Sequence, residues 1–183
     1  MKHGKKILEL GCGNGRDAIF FSENNINVLA IDQSESSIKN LNNKYKCNNI
    51  EFICDDFIKS IRMKNSEFDY VYSRFTMHSI SEEEENLLLS RVYDTLNDDG
   101  LLFIEVRSVK DDIYGKGELV ARNTYVYNEH TRRFIVIEEL VDKLKYIGFE
   151  IVFSDENDNY ARYKEQNPIV IRIIAQKNKI HCK

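Results

Sequence analysis

Three observations predict an α/β fold on a mainly parallel sheet. Short apolar runs alternate with stretches of helical period along most of the chain, the pattern of a sheet covered on both faces. The first apolar run leads straight into Gly11-Cys12-Gly13-Asn14-Gly15, a glycine-rich turn that opens a helix. The second ends on Asp32, about 20 residues past the first glycine, where nucleotide-binding sheets place a carboxylate for ribose hydroxyls. The 183 residues point to a single domain over 1–183, and 42% hydrophobic content is enough for a full α/β core.

Each element has its own signal. Residues 6–10 read as a buried first strand, and a helix over about 16–24 is expected to bury Ile19 and Phe20. Strand 2 covers 27–31. Ser34 then offers a capping oxygen to a helix over about 35–45, with Ile38 and Leu41 facing inward. Strand 3 covers 50–54, a short helix is expected near 57–62, and strand 4 covers 68–73. Ser81 and Glu84 have capping-box spacing, and the carboxylates of 82–85 complement the positive end of a helix. That helix runs to about residue 97, with Leu87, Leu88, Val92 and Leu96 on one face; Asp98-Asp99-Gly100 then turns the chain into strand 5 at 101–107. A helix over 137–147 stops at Gly148, a good residue for a left-handed helix end. Strands follow at 149–153 and 169–176. Residues 108–133 and 154–167 lack clear periodicity, and the first of them is expected to be a lid or substrate loop.

Composition narrows the function. The formal charge is −4 and no basic block stands out, which argues against a nucleic-acid partner. No run is long enough to cross a bilayer and no secretory pattern precedes the first strand, so a cytoplasmic location is expected. The four cysteines form no C-x-x-C pair, which makes a zinc site or a disulfide framework unlooked-for; no metal is expected. Cys12 has no base beside it and reads as a small residue tolerated in a tight turn.

The turn has G-x-G-x-G spacing with Glu9 two residues before it and Arg16 where a dinucleotide turn would carry its third glycine. Glu9-x-Gly11-x-Gly13-x-Gly15 together with Asp32 resembles motif I and the acidic second-strand end of class I S-adenosylmethionine (SAM)-dependent methyltransferases. The resemblance implies a Rossmann-like, doubly wound seven-stranded sheet of order 3-2-1-4-5-7-6, with the last strand antiparallel, in three α/β/α layers. It also implies roles around SAM and its product S-adenosylhomocysteine (SAH). Gly11, Gly13 and Asn14 would admit the methionine and ribose, Glu9 would orient the turn, Asp32 would accept both ribose hydroxyls, and Gln33 would lie beside the adenine. Asp55 or Asp56, followed by Phe57, would meet the adenine amino group, and Ser73 would offer its carbonyl to the methionine amino group. The residues alone leave alternatives open. Asp32 and Asp55 also fit as helix caps, and Arg16 and Asp17 either pair with each other or hold the methionine carboxylate. Members of the family usually carry one or two helices before strand 1, whereas this chain begins almost at that strand.

The segment Ser73-Arg74-Phe75-Thr76-Met77-His78 would face the transferred methyl. It has no Asp/Asn-Pro-Pro-aromatic motif and no cysteine, which points to methylation of a small molecule, most simply at oxygen. His78 is the candidate base because an imidazole titrates near neutrality. Arg74, Arg107, His130, Arg132 and Arg133 are the candidate substrate contacts, since guanidinium forks match phosphate or carboxylate oxygens; Arg132 and Arg133 could equally pair with Glu118, Glu138 or Glu139. The Ser-Arg-Phe…His and His-x-Arg-Arg-Phe elements resemble small bacterial methyltransferases of the tellurite-resistance and capsular-polysaccharide type, which implies an anionic acceptor in surface-glycan chemistry and a monomer or homodimer. Two competing readings are an NAD-type nucleotide-binding domain, which Arg16 disfavours, and a non-catalytic SAM-binding partner subunit, which would bind SAM without turnover.

Overall fold

Alternation within each central strand sends successive side chains to opposite faces, and both faces are covered by helices. In a computed structural model, which describes residues 1–60, 68–162 and 166–178, this produces one seven-stranded sheet and one small three-stranded sheet. The large sheet is built from β1 (Lys6–Leu10), β2 (Asn27–Asp32), β3 (Ile50–Cys54), β4 (Phe68–Arg74), β5 (Leu96–Arg107), β9 (Phe149–Asn157) and β10 (Val170–Lys177). Its order is β3-β2-β1-β4-β5-β10-β9. β10 runs antiparallel to both neighbours, and the pairs from β3 through β5 are parallel. This is the 3-2-1-4-5-7-6 order expected, with the last strand inserted antiparallel.

α1 (Arg16–Glu23) and α2 (Glu35–Lys44) cover one face, where Ile7, Val28, Ala30, Ala18, Phe21, Ile38, Leu41 and Phe52 form one core. α3 (Glu82–Thr95) and α4 (Ile137–Ile147) cover the other, where Leu8, Leu10, Ile31, Leu88, Leu89, Leu140, Leu144 and Ile171 form a second. The caps are those the sequence indicates. Ser34 Oγ accepts from the Ser37 N–H at 3.3 Å. Ser81 and Glu84 close a reciprocal capping box, and Gly148 ends α4 at φ 116°.

Several expectations are corrected. α1 buries Ala18, Phe21 and Ser22, while Phe20 is 60% exposed and Ile19 only half-buried. The first turn of the helix is fixed by the glycine turn, and that phase puts Phe21 edge-to-face on Tyr72. In α3 the buried stripe is Glu85, Leu88, Leu89 and Val92, and Leu87 is 49% exposed. This helix ends at Thr95, and Leu96 already belongs to β5. Asp98-Asp99-Gly100 forms a bulge inside that strand rather than a turn before it: Phe68 pairs with Leu96 and Tyr70 with Leu101, with Asp99 at φ 62°. The expected helix near 57–62 is a turn over 57–59, and residues 61 and 62 lie outside the described residues. The stretch 108–133, expected as a loop, contains the second sheet: β6 (Glu118–Ala121), β7 (Thr124–Tyr127) and β8 (His130–Arg133). Asn123, Asn128 and Glu129 adopt φ of 52°, 50° and 62° in its two tight turns. Such left-handed positions favour asparagine, so the Asn-containing dipeptides were the available hairpin signal.

Candidate active site

Open α/β sheets bind ligands beyond the carboxyl ends of their strands, where the order reverses. Here that is the crevice above β1, β2 and β4. After β1 the chain bends back through Gly11 and Gly13 in the left-handed region, at φ 70° and 52°. The Gly11 and Cys12 N–H groups donate to the Ile31 carbonyl at 2.8 and 3.1 Å. A Cβ on Gly11 would lie 2.7 Å from Thr76 Oγ1, whereas one on Gly13 would meet nothing within 4 Å. The turn is thus packed tightly below and open above. Asn14 is exposed, and its side-chain oxygen accepts from the Arg16 N–H.

Asp32 closes the rear of the crevice. Its Oδ2 accepts from the Gly13 N–H at 2.7 Å and its Oδ1 from the Ser34 N–H at 2.8 Å. The carboxylate therefore braces the glycine turn and the entry to α2 together, while each oxygen keeps a lone pair for a ligand. Glu9 is 5% exposed, and its Oε2 and the buried Ser73 Oγ have no hydrogen-bond partner among the described residues. Burial, then the neighbouring charges of Asp17 and Asp32, push the Glu9 carboxyl up to about 8. A cation placed over the turn would supply the charge that this acid lacks. Gln33 is exposed beyond β2. Asp55 and Asp56 are both engaged locally: Asp55 accepts from the Asp56 N–H and the Ser60 hydroxyl, and Asp56 from the Ile58 N–H. Phe57 is 6% exposed and belongs to the core cluster that includes Leu88 and Leu89 of α3. Arg16 and Asp17 do pair, at 3.2 Å.

On the other side of the crevice, Arg74, Phe75, His78, Arg107 and Arg132 line a cavity of about 390 Å³ with Arg16, Tyr160 and Arg162. His78 sits on a 3-10 turn, Met77–Ser79, edge-to-face with Phe75 at 5.9 Å, and its Nδ1 is buried without a hydrogen-bond partner among the described residues. Burial first, then Arg107, Arg132 and Arg133, push this imidazole down to about 4, so it is neutral at neutral pH. Arg74 donates to Glu105 at 2.9 Å and Asp17 at 2.8 Å, and Arg107 to Asp111 at 2.8 Å. Arg132 donates to the Tyr127 carbonyl at 3.2 Å.

Two expected substrate contacts stand elsewhere. His130 is exposed at the hairpin tip. Arg133 is 8% exposed and points into the core, where it donates to the Ile80 and Met77 carbonyls and pairs with Glu85. Strand geometry explains the split between Arg132 and Arg133, since adjacent residues of β8 face opposite sides. Sequence reasoning placed Phe75 in the segment facing the methyl without a role of its own, and missed Glu105 and Arg172. Phe75 holds φ 54°, rare for an aromatic residue, between the guanidinium groups of Arg74 and Arg107. Glu105 is buried between Arg74 and Arg172. Nothing in the local sequence marks either feature.

Sheet order, glycine turn and braced Asp32 define the class: an α/β domain whose crevice suits a nucleoside cofactor bearing a cationic amino group. SAM meets that description, with Glu9, Gly11, Gly13, Asp32 and Ser73 as the groups that would hold it. Residues 7–100 match the family model described as "Methyltransferase domain", so the chain belongs to that family, whose class uses SAM as methyl donor. The chain is 27% identical over 168 residues to a carboxy-S-adenosyl-L-methionine synthase of Shewanella piezotolerans, covering 79% of this chain and 68% of that protein. It is 32% identical over 104 residues to phosphoethanolamine N-methyltransferase 1 of Zea mays, covering 55% of this chain and 20% of that protein. Against other curated synthase relatives it spans about half their length. A solved SAM-dependent methyltransferase of Methanosarcina mazei superposes with TM-score 0.83 at 18% identity, over 97% of this chain and 94% of that one. Among the described residues, no helix is long and apolar enough to cross a membrane.

Proposed function

We propose that this domain transfers a methyl group from SAM to an oxygen of a small anionic metabolite, one that bears a phosphate or carboxylate. The observation that carries this reading is the arginine-walled cavity, with a neutral, unpartnered histidine in the same wall and the glycine turn beside it. When bound, SAM supplies a methyl already activated on sulfonium, so placement of the acceptor accounts for much of the rate. Asp32 holds the ribose, and Glu9 and Ser73 hold the methionine end. Arg107 and Arg132 hold the acceptor's anionic group. His78 takes the proton from the acceptor hydroxyl as the methyl arrives. Phosphoethanolamine, named for one relative, is an acceptor of the phosphate-bearing kind. A surface-glycan setting is the narrower form of the reading, and sugar phosphates are its test acceptors.

The arginine wall also favours a second reading, in which the donor carries the anion itself, as in the carboxylated SAM named for the synthase relatives. Calorimetric titration of the chain with SAH, SAM and carboxy-SAM, followed by a panel of phosphorylated and carboxylated acceptors, tests both. Micromolar SAH binding with turnover on an anionic acceptor supports the first reading. Tighter binding of carboxy-SAM than of SAM moves the anion from acceptor to donor. A folded sample that binds none of the three overturns both.

A further inference from the structure

The charges around His78 are unbalanced. Arg16, Arg74, Arg107, Arg132 and Arg162 line its cavity. Three carboxylates answer them: Asp17 pairs with Arg16 and Arg74, Glu105 with Arg74 and Arg172, and Asp111 with Arg107. Arg132 and Arg162 have no carboxylate partner among the described residues. The cations around His78 come from several elements: Arg107 from β5 and Arg132 and Arg133 from β8 disfavour its charge, while Arg74 from the end of β4, Arg16 from α1 and Arg162, near Tyr160 in the stretch after β9, line the same cavity. Arg133 is already neutralised by Glu85. Arg132 is held below its ordinary value by burial and then by Arg107. An anion bound between them relieves both repulsions.

We infer that an anion seated at Arg107 and Arg132 offsets the guanidinium field on the His78 imidazole and so strengthens it as a base: the acceptor itself readies the neutral imidazole that is to receive the proton of its hydroxyl. The inference rests on the proposed reading of the cavity as the acceptor site. In the empty cavity the guanidinium groups repel an imidazolium, and the imidazole is too weak a base to assist a hydroxyl. A dianion reverses the sign of the local field, and its oxygens can accept from the imidazolium. With an anion that has no hydroxyl to give up a proton, the same gain in basicity is read as a proton taken from solvent. An acceptor analogue without an anionic group would leave the base inactive even when it binds, so the anion acts as a specificity element for the chemical step.

Sulfate is the probe, because it stays dianionic throughout the range used and any proton taken up goes to the protein. The full chain is titrated with sulfate by calorimetry at pH 5.5 in two buffers of different ionisation heat. The expected result is uptake of about half to one proton per sulfate, falling toward zero above pH 8 as even the anion-bound imidazole loses its proton. His78→Gln should keep sulfate binding and lose the uptake, which separates His78 from the exposed His130. Arg132→Gln should weaken sulfate at least tenfold; Arg132 is the better choice because removing Arg107 would orphan Asp111. Circular dichroism confirms that each variant is folded. Sulfate binding without proton uptake, uptake that survives in His78→Gln, or no sulfate binding at millimolar concentration would overturn the inference. SAH titration of the same sample reports on the cofactor reading separately.

Discussion

Asp32 spans β2, the glycine turn and the entry to α2 with one carboxylate, through the Gly13 and Ser34 N–H groups. Its removal therefore costs more than a ligand contact. Asp32→Ala should weaken SAH binding about 10- to 100-fold, the scale of one or two hydrogen bonds to a charged group, and also lower the melting temperature. Asp32→Asn keeps an acceptor for one N–H and should fall between. Unchanged SAH affinity in Asp32→Ala would remove the ribose role. Glu9 carries a pH signature. Its folded value of about 8 lies above the ordinary 4.5, so the folded state binds the extra proton between the two. The stability it contributes is whole below pH 4.5 and is lost as pH rises through about 8. A bound cationic amino group would favour the ionised form, so SAH affinity should increase as pH rises from 6 to 8. Glu9→Gln should flatten that profile; a wild-type profile already flat would place the amino group elsewhere. His78 runs the other way. Its folded value of about 4 lies below the usual 6.5, so its contribution is present above pH 6.5 and is lost as pH falls through about 4. The acid limb of the stability curve should therefore be shallower in His78→Gln.

At the scale of elements, capping and strand alternation were legible because they depend on neighbours close in sequence. Ser81 with Glu84, Ser34, Gly148 and the β1 to β4 runs all fall where local chemistry puts them. The facing of α1 and α3 was not, because an apolar cluster such as Leu87-Leu88-Leu89 offers more than one stripe, and the angle at which the helix leaves its cap selects among them. Leu88→Ala should cost about 2–5 kcal/mol in denaturant unfolding, since Leu88 is fully buried. Leu87→Ala should stay within about 0.5 kcal/mol, as for other surface changes. Equal costs would mean that the helix is rotated from its placement here. The β6–β8 hairpin depends on Gly117 in the same way. It holds φ 92°, and a Cβ there would lie 2.1 Å from the Val126 carbonyl oxygen. Gly117→Ala should abolish amide-exchange protection in β6 and β7 while α3 and the large sheet keep theirs.

Across the whole molecule, the hairpin is joined to the helical layer through a buried charge cluster. Arg133 of β8 meets Glu85 of α3, which also accepts from Lys143 of α4 at 2.9 Å. Arg133 further holds the Met77 and Ile80 carbonyls, which flank the 3-10 turn carrying His78. One strand thus sends Arg132 toward the cavity and Arg133 into the support beneath His78. Glu85→Gln would leave the buried Arg133 without its carboxylate and Lys143 with Glu82 alone, and should cost about 3–5 kcal/mol, read as a lower denaturant midpoint. A loss well under 1 kcal/mol would show that the cluster is solvated and leaves the hairpin free to move.

The sequence by itself determined the fold class, the strand order through its resemblance to a known family, and where the residues proposed to hold the cofactor stand on the sheet. Glu9, Gly11, Gly13 and Asp32 occupy strand ends and one turn, whose positions follow from local spacing once the sheet is parallel. Only the tertiary structure decided which arginines share the cavity proposed for the acceptor. Arg74 and Arg107 come from β4 and β5, Arg132 from a hairpin with no apolar alternation, and Arg162 from the stretch after β9. Which arginine faces the cavity and which is neutralised by Asp17, Glu105, Asp111 or Glu85 depends on contacts between residues far apart in the chain. Charge pairing leaves no mark on periodicity, so Arg132 and Arg133 look alike in sequence and differ in the fold because one strand turns them to opposite sides.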